Sequence, residues 1–139
     1  MKELELNESV TVTVPAINPW FGTGLLLKKD RVYKLEVIPD TQTWSDGPKL
    51  PLFTADGKTL LYLSVMYLFI RMPSVKWFAL LGCIDRKRST YFKIGTYKEY
   101  KAEEDGELTC FANDALGLKD HWYKHNNEGV MVMKVTRIS

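Results

Sequence analysis

The segment 111–129, FANDALGLKDHWYKHNNEG, carries the residues whose types and spacing are best suited to chemistry. Asn113 and Asp114 stand near its start, and Asn126 and Asn127 stand near its end. Ca²⁺ prefers oxygen ligands from carboxylates, side-chain amides and backbone carbonyls, and it takes about six to eight of them. The pattern therefore fits a cation site. It also fits a second interpretation, in which Asp, Asn and Gly serve only as turn residues.

Two alternating runs would hold the ends of this segment. Residues 107–113 place Leu108, Cys110 and Ala112 on one face, and residues 130–138 form a second strand-like run. Similar short runs precede them, at 9–16, 25–27, 31–38, 77–84 and 90–94. Short strands at close spacing are typical of an all-β sandwich. We therefore predict a single domain over residues 1–139.

Two turns are predicted from local residue types. Residues 85–88, DRKR, separate two apolar runs and indicate a hairpin turn between 77–84 and 90–94. Asp105-Gly106 is a strong hairpin signal, and it predicts that 99–102 pairs with 107–113.

The middle of the chain is less regular. Residues 39–58 form a long loop whose Trp44 could stack on a ligand or could pin the loop to the body of the domain. The apolar run 59–70, TLLYLSVMYLFI, does not alternate, and we predict one short helix inside 58–72. The run is too short to span a membrane. An exposed apolar face on it would be a contact in a homo-oligomer.

Composition limits the function classes. The chain has 139 residues, a net charge of only +2 and one basic cluster, so we expect no nucleic-acid partner. Cys83 and Cys110 lie in apolar runs and are expected to be free, buried thiols. The N-terminal MKELELNESV lacks the apolar stretch of a signal peptide. We therefore expect a protein that is cytoplasmic or exported by a non-classical route.

Catalytic patterns are weak. His121 and His125 are four residues apart, but HWYKH lacks the glutamate of a zinc-protease motif and has no third ligand at zinc spacing. No serine nucleophile motif or phosphate-binding glycine loop is present. The sequence predicts a protein that is not an enzyme.

A family resemblance runs from about residue 10 to residue 138. It is carried, in order, by TGLLL at 23–27, KDRVY at 29–33, WFALLG at 77–82, FKIG at 92–95, GEL at 106–108, FAND at 111–114 and NNEG at 126–129. These segments resemble the calcium-dependent galactose-binding lectins of the Pseudomonas type, and this chain looks like a divergent bacterial relative. The resemblance implies an antiparallel jelly-roll-like β-sandwich with a galactose-binding-domain-like fold.

The resemblance also implies a ligand set. In that family an aspartate after the penultimate strand and paired asparagines before the last strand bind Ca²⁺, which in turn binds two sugar hydroxyls. By motif match these residues are Asp114, Asn126 and Asn127. One backbone carbonyl is expected from 44–47 and another from the 115–125 loop, which is longer here than in the galactose lectin. We expect the loop 43–48 to form the opposite wall, with Trp44 close enough to stack on a sugar ring.

Two function classes follow. The first is a Ca²⁺-dependent carbohydrate-binding module. The second is an interaction or scaffolding domain that keeps the sandwich, has lost the sugar site and associates through residues 59–73. Sensitivity of the melting temperature to calcium separates the two.

Overall fold

Two β-sheets form the body of the protein in a computed structural model, which describes residues 1–47, 52–59, 68–116 and 121–139. The four-stranded sheet has the order β2-β9-β4-β7, and the five-stranded sheet has the order β1-β3-β8-β5-β6. Their bounds are Lys2–Glu3 for β1, Ser9–Pro15 for β2, Phe21–Leu27 for β3, Val32–Val37 for β4, Leu80–Ile84 for β5, Phe92–Lys93 for β6, Tyr97–Lys101 for β7, Gly106–Ala112 for β8 and Val130–Arg137 for β9. The two-residue pairing of β1 with β3 is parallel, and the other described pairings are antiparallel. The predicted β-sandwich is confirmed.

Hydrophobic patterning explains which strands lie where. In β4, Tyr33, Leu35 and Val37 are buried, whereas the intervening residues are partly exposed. By contrast, β5 is buried along its whole length. The sequences VYKLEV and LLGCI thus specify a half-exposed strand and a fully enclosed one. Burying a Val, Leu or Ile side chain contributes about 1.5–3 kcal/mol, which makes this shared core the main source of stability.

The two predicted turns have different outcomes. β5 and β6 pair as an antiparallel hairpin, and a 3₁₀ turn at Arg88–Thr90 leads into β6. The predicted hairpin at Asp105-Gly106 is wrong, because β7 and β8 belong to different sheets. The Asp105 carboxylate instead accepts a hydrogen bond from the backbone N–H of Lys29, at 2.7 Å, and so fixes the turn between β3 and β4.

Most of the apolar run 59–70 lies outside the described residues. The helix predicted inside 58–72 therefore also falls largely outside them and stays a prediction. At the described end of this run, Leu68 and Phe69 are exposed, whereas Ile70 is buried and forms an isolated bridge with Ala115. The described α-helix, α1, is His121–Asn126. In the part of the chain that the structure describes, no helix is long and apolar enough to cross a membrane.

The two cysteines are buried and unpaired, as predicted. Burial raises the pKa of the Cys83 thiol to about 11, and it raises the pKa of Cys110 still further. Neither thiol has the thiolate character that nucleophilic chemistry requires.

Candidate metal centre

Three chain segments meet at one end of the sandwich. The first follows β8, the second joins α1 to β9, and the third lies at 43–47. Ser45 and Glu128 exchange backbone hydrogen bonds in both directions, each at 2.9 Å, and Thr43 N–H donates to the Val130 carbonyl at 3.0 Å. These bonds attach the third segment to the second.

Gly129 permits this close approach. Its φ is 88°, and a Cβ built on it would lie 1.9 Å from the Thr43 carbonyl oxygen. A side chain here would therefore collide with fixed backbone in a conformation that glycine adopts most easily. This contact gives a physical reason for the glycine that ends the Asn-Asn-Glu-Gly motif.

Asp114 and Asn127 carry buried oxygen atoms that lack donors. The Asp114 carboxylate accepts the Ala115 N–H at 2.7 Å through Oδ1, and the Asn127 Nδ2 donates to the Ala16 carbonyl at 3.2 Å. Among the residues that the structure describes, Asp114 Oδ2 and Asn127 Oδ1 have no hydrogen-bond partner. Leaving a buried acceptor unsatisfied costs about 1–3 kcal/mol, so two at one place indicate a missing partner.

Asp46 adds a second carboxylate, which the sequence reasoning missed. It is partly buried, and burial raises its pKa to about 6, although the Trp77 side chain acts in the opposite direction. The pKa of Asp114 rises to about 7, first because the group is desolvated and then because of the negative charge of Asp46. Asn127, on the other side, lowers the pKa of Asp114 because its side-chain amide lies within hydrogen-bonding range of the carboxyl group. All three residues are therefore close enough to interact electrostatically.

Three backbone carbonyls of 44–47 each accept one described hydrogen bond, and each has a second lone pair that a cation could use. The Trp44 carbonyl accepts from Phe53 N–H, the Ser45 carbonyl accepts from Glu128 N–H, and the Gly47 carbonyl accepts from the Ser45 hydroxyl. Each of these oxygens already has one donor. The Asp46 carboxylate is thus the strongest cation ligand that this segment offers.

This donor set fits a hard divalent cation. Within the described ranges no three His, Cys, Asp or Glu side chains form a metal-binding group, so the candidate set consists of two carboxylates and one amide. Two carboxylates and one amide oxygen are the chemistry that Ca²⁺ selects. A cation would satisfy both orphaned oxygens and would remove the repulsion between Asp46 and Asp114.

α1 holds the Asn-Asn pair in place. Tyr123 is fully buried, and its hydroxyl donates to the Ala112 carbonyl and accepts from Arg71 Nη1 at 3.3 Å. Asn126 is the last residue of the helix and is partly exposed. Its role as a ligand remains a prediction.

Trp44 requires a correction. Its ring is fully buried, its Nε1 donates to the Val14 carbonyl at 3.0 Å, and it meets Phe78 edge-on at 6.2 Å. The predicted stacking on a sugar ring is wrong, because the aromatic faces are enclosed by the core. Its position fits the alternative interpretation, in which Trp44 anchors the 39–58 loop to the body of the domain.

The remaining polar candidates serve other purposes. Asn113 is fully buried, and its amide bonds only to backbone groups of 72–76, so its oxygen is not available to a cation. His121 and His125 are exposed on α1, with ring centroids 4.3 Å apart.

Comparison with solved structures finds a lectin fold. The protein is similar to the N-terminal domain of EclA, a PllA-like lectin, with a TM-score of 0.62 and 20% sequence identity. The similarity covers 91% of this chain and 94% of that one. No protein-family profile and no curated protein sequence matches the chain. The fold is therefore lectin-like, and the structural likeness is far stronger than the sequence likeness.

Proposed function

We propose that this protein is a non-catalytic, Ca²⁺-dependent carbohydrate-binding module. Asp46, Asp114 and Asn127 hold the cation, Asn126 is the fourth side chain of the set, and the cation supplies a coordination point for sugar hydroxyls. The name of the structural neighbour, a PllA-like lectin, supports carbohydrate as the ligand class.

One observation carries the proposal. Asp114 Oδ2 and Asn127 Oδ1 are both buried and both lack a donor among the described residues, and a second carboxylate lies close enough to raise the pKa of Asp114. A purely structural cluster would satisfy its acceptors with N–H or O–H groups. An arrangement of acceptors without donors is instead suited to a cation.

The protein residues have distinct roles. Asp114 and Asp46 provide the negative charge that binds a divalent ion. Asn127 provides a neutral oxygen, and its Nδ2 bond to Ala16 fixes the direction of that oxygen. The Ser45–Glu128 pairing and the glycine at 129 keep the two carboxylates together before the cation arrives. This preorganisation lowers the cost of binding.

A glycan array run in millimolar CaCl₂ and again in EGTA tests the proposal. We expect the wild type to bind glycans in calcium only, and Asp114→Asn to bind none. Asp40→Asn is the matched control, because Asp40 is exposed and its left-handed conformation accommodates Asn equally well. Glycan binding that is equal in EGTA, or that survives Asp114→Asn, contradicts the role given to the cation.

A further inference from the structure

A cavity of about 300 Å³ lies beside the metal centre, and the proposed function gives it no role. Its lining combines apolar side chains with two guanidinium groups and one phenol: Leu68, Phe69, Leu116, Arg71, Arg88 and Tyr91. A volume of this size is at the lower end of the range of small-molecule pockets.

The cavity and the metal centre share one stretch of backbone. The Arg71 N–H donates to the Asp114 carbonyl at 3.3 Å, and Ile70 pairs with Ala115. The positive charge of Arg71 also lowers the pKa of Asp114, which opposes the effects of burial and of Asp46. A ligand held at Asp114 would therefore have the cavity as its neighbour.

The cavity carries two guanidinium groups, and neither forms an ion pair with a described residue. The ion pairs among described residues include neither Arg71 nor Arg88. Arg71 is 6% exposed, and its hydrogen bonds go to neutral groups, namely the Pro19 carbonyl and the hydroxyls of Tyr91 and Tyr123. Arg88 is exposed, and its guanidinium makes no hydrogen bond to a described residue. Arg71 is therefore satisfied by neutral groups, whereas the exposed Arg88 guanidinium keeps its donors available to an anion, so this part of the cavity favours a negatively charged group.

The apolar part of the lining restricts the anion further. Leu68 is 78% exposed and Phe69 is 63% exposed, which is unusual for such large side chains at a cavity mouth. A bare inorganic ion would leave this surface in water. An anionic group attached to a body with an apolar face would cover it and would gain from its burial.

We propose that this cavity is a subsite for the carboxylate or sulfate group of an acidic glycan. Arg88 faces the anion, since a planar guanidinium matches both groups in a two-pronged geometry, and the buried Arg71 beside it adds positive charge. Leu68 and Phe69 contact the C–H face or an apolar substituent of the acidic sugar. The assignment to a glycan rests on the proposed function, in which the neighbouring sugar is held at the cation.

The first experiment isolates the cavity from the metal centre. Backbone amide resonances are followed by NMR in EDTA while 4-nitrophenyl sulfate is added, and 4-nitrobenzenesulfonamide, which carries the same nitrophenyl ring and an uncharged sulfonyl group, serves as the neutral probe. We expect the sulfate to shift the amides of Arg71, Arg88, Tyr91 and Leu116, and the sulfonamide to shift them far less. Arg88→Gln should weaken sulfate binding roughly tenfold, which corresponds to the loss of a charge-assisted hydrogen bond. Lys98→Gln, which removes an exposed positive charge from β7, should leave sulfate binding unchanged.

The second experiment returns to the glycan array in calcium. Arg88→Gln should lose the preference for acidic over neutral versions of the same glycan while it keeps the neutral binding. Equal binding of sulfate and sulfonamide, no sulfate binding up to about 10 mM, or no effect of Arg88→Gln overturns the anion site. If the sulfate binds as described but the array shows no glycan binding in calcium, the proposed function fails and with it the assignment of the cavity to a glycan.

Discussion

Asn113 and Asp114 are neighbours in the sequence, and both are buried, but their side chains differ completely in hydrogen bonding. Asn113 donates to three carbonyls at 3.0–3.1 Å and accepts the Met72 N–H at 2.9 Å. Asp114 Oδ2, one residue later, has no donor among the described residues. Arg71 lies on the satisfied side, with aromatic rings around it, and Asp46 and Asn127 lie on the unsatisfied side.

This difference leads us to expect that the residues around Arg71 stabilise the fold and that those around Asp114 bind a ligand. The Arg71 cation lies 3.3 Å from the ring centroid of Phe111 and 3.9 Å from that of Trp20, so neutral groups of the protein itself stabilise its charge. Asp114 Oδ2 and Asn127 Oδ1 have no such partner among the residues that the structure describes. A substitution near Arg71 should therefore destabilise the fold. A substitution of Asp46, Asp114 or Asn127 should instead weaken binding and leave the fold intact.

The largest expected effect is that of Arg71→Met. The substitution removes four hydrogen bonds and the ring contacts, and it leaves the partly buried Tyr91 hydroxyl without its described partner. We expect the free energy of unfolding in urea to fall by about 4 kcal/mol, both with and without calcium. Arg88→Met, at an exposed site, is the control and should change it by less than about 0.5 kcal/mol. A loss confined to calcium-containing buffer would place Arg71 in the metal centre instead.

The pH dependence of stability in EDTA should be nearly as large. In the folded state the pKa of Asp114 is raised from 3.8 to about 7 and that of Asp46 to about 6, so the folded protein holds protons that the unfolded chain has released. The free energy of unfolding should therefore fall as pH rises from about 4 to 7, by an amount of the order of 3 kcal/mol for Asp114. Asp114→Asn should flatten this decline, whereas Asp40→Asn should keep it. Stability that increases over the same interval contradicts the buried, mutually repelling carboxylates.

Trp44→Phe should have an intermediate effect. The smaller ring leaves space in the core and removes the donor to the Val14 carbonyl, for a loss of about 2 kcal/mol. Because the indole is enclosed, we expect glycan binding measured in calcium to be unchanged once the folded fraction is taken into account. A selective loss of glycan affinity would restore the stacking role.

The smallest effect should be that of His121→Ala. The imidazole is exposed on α1 and lies outside the set of oxygen ligands. We expect the melting temperature and its response to calcium to stay within experimental error of the wild type. A reduced calcium response would mean that the stacked His121–His125 pair belongs to the site.

Sequence patterns predicted the sandwich because strand periodicity and the spacing of apolar residues can be read from short segments of the chain. The alternation in VYKLEV and the continuous apolar LLGCI specify β4 and β5 without tertiary information. The Asp105-Gly106 signal failed because the Asp105 carboxylate binds a distant turn, which no local pattern reveals. A turn dipeptide fixes a bend but not the sheet that the next strand enters.

The candidate metal centre was only half predictable for the same reason. Asp114 and Asn127 flank one loop, and a family motif marks them. Asp46 lies 68 positions before Asp114, and the backbone hydrogen bonds of its segment with residues 128 and 130 hold it at this end of the sandwich. Asn113 and Trp44 had residue types suited to a ligand site, but their burial and bonding in the folded chain assign them to the core. Residue type alone does not distinguish a satisfied polar group from an unsatisfied one.

The most direct test of the metal centre is the melting temperature in a calcium titration from EDTA-treated protein at pH 8, where both carboxyls are ionised. A ligand at a hundredfold excess over its Kd stabilises the native state by about 2.7 kcal/mol. We predict a rise of several degrees for the wild type and for Asp40→Asn, a strongly reduced rise for Asp46→Asn, and none for Asp114→Asn. A wild-type melting temperature that does not respond to calcium, or an equal rise in Asp114→Asn, would contradict the account.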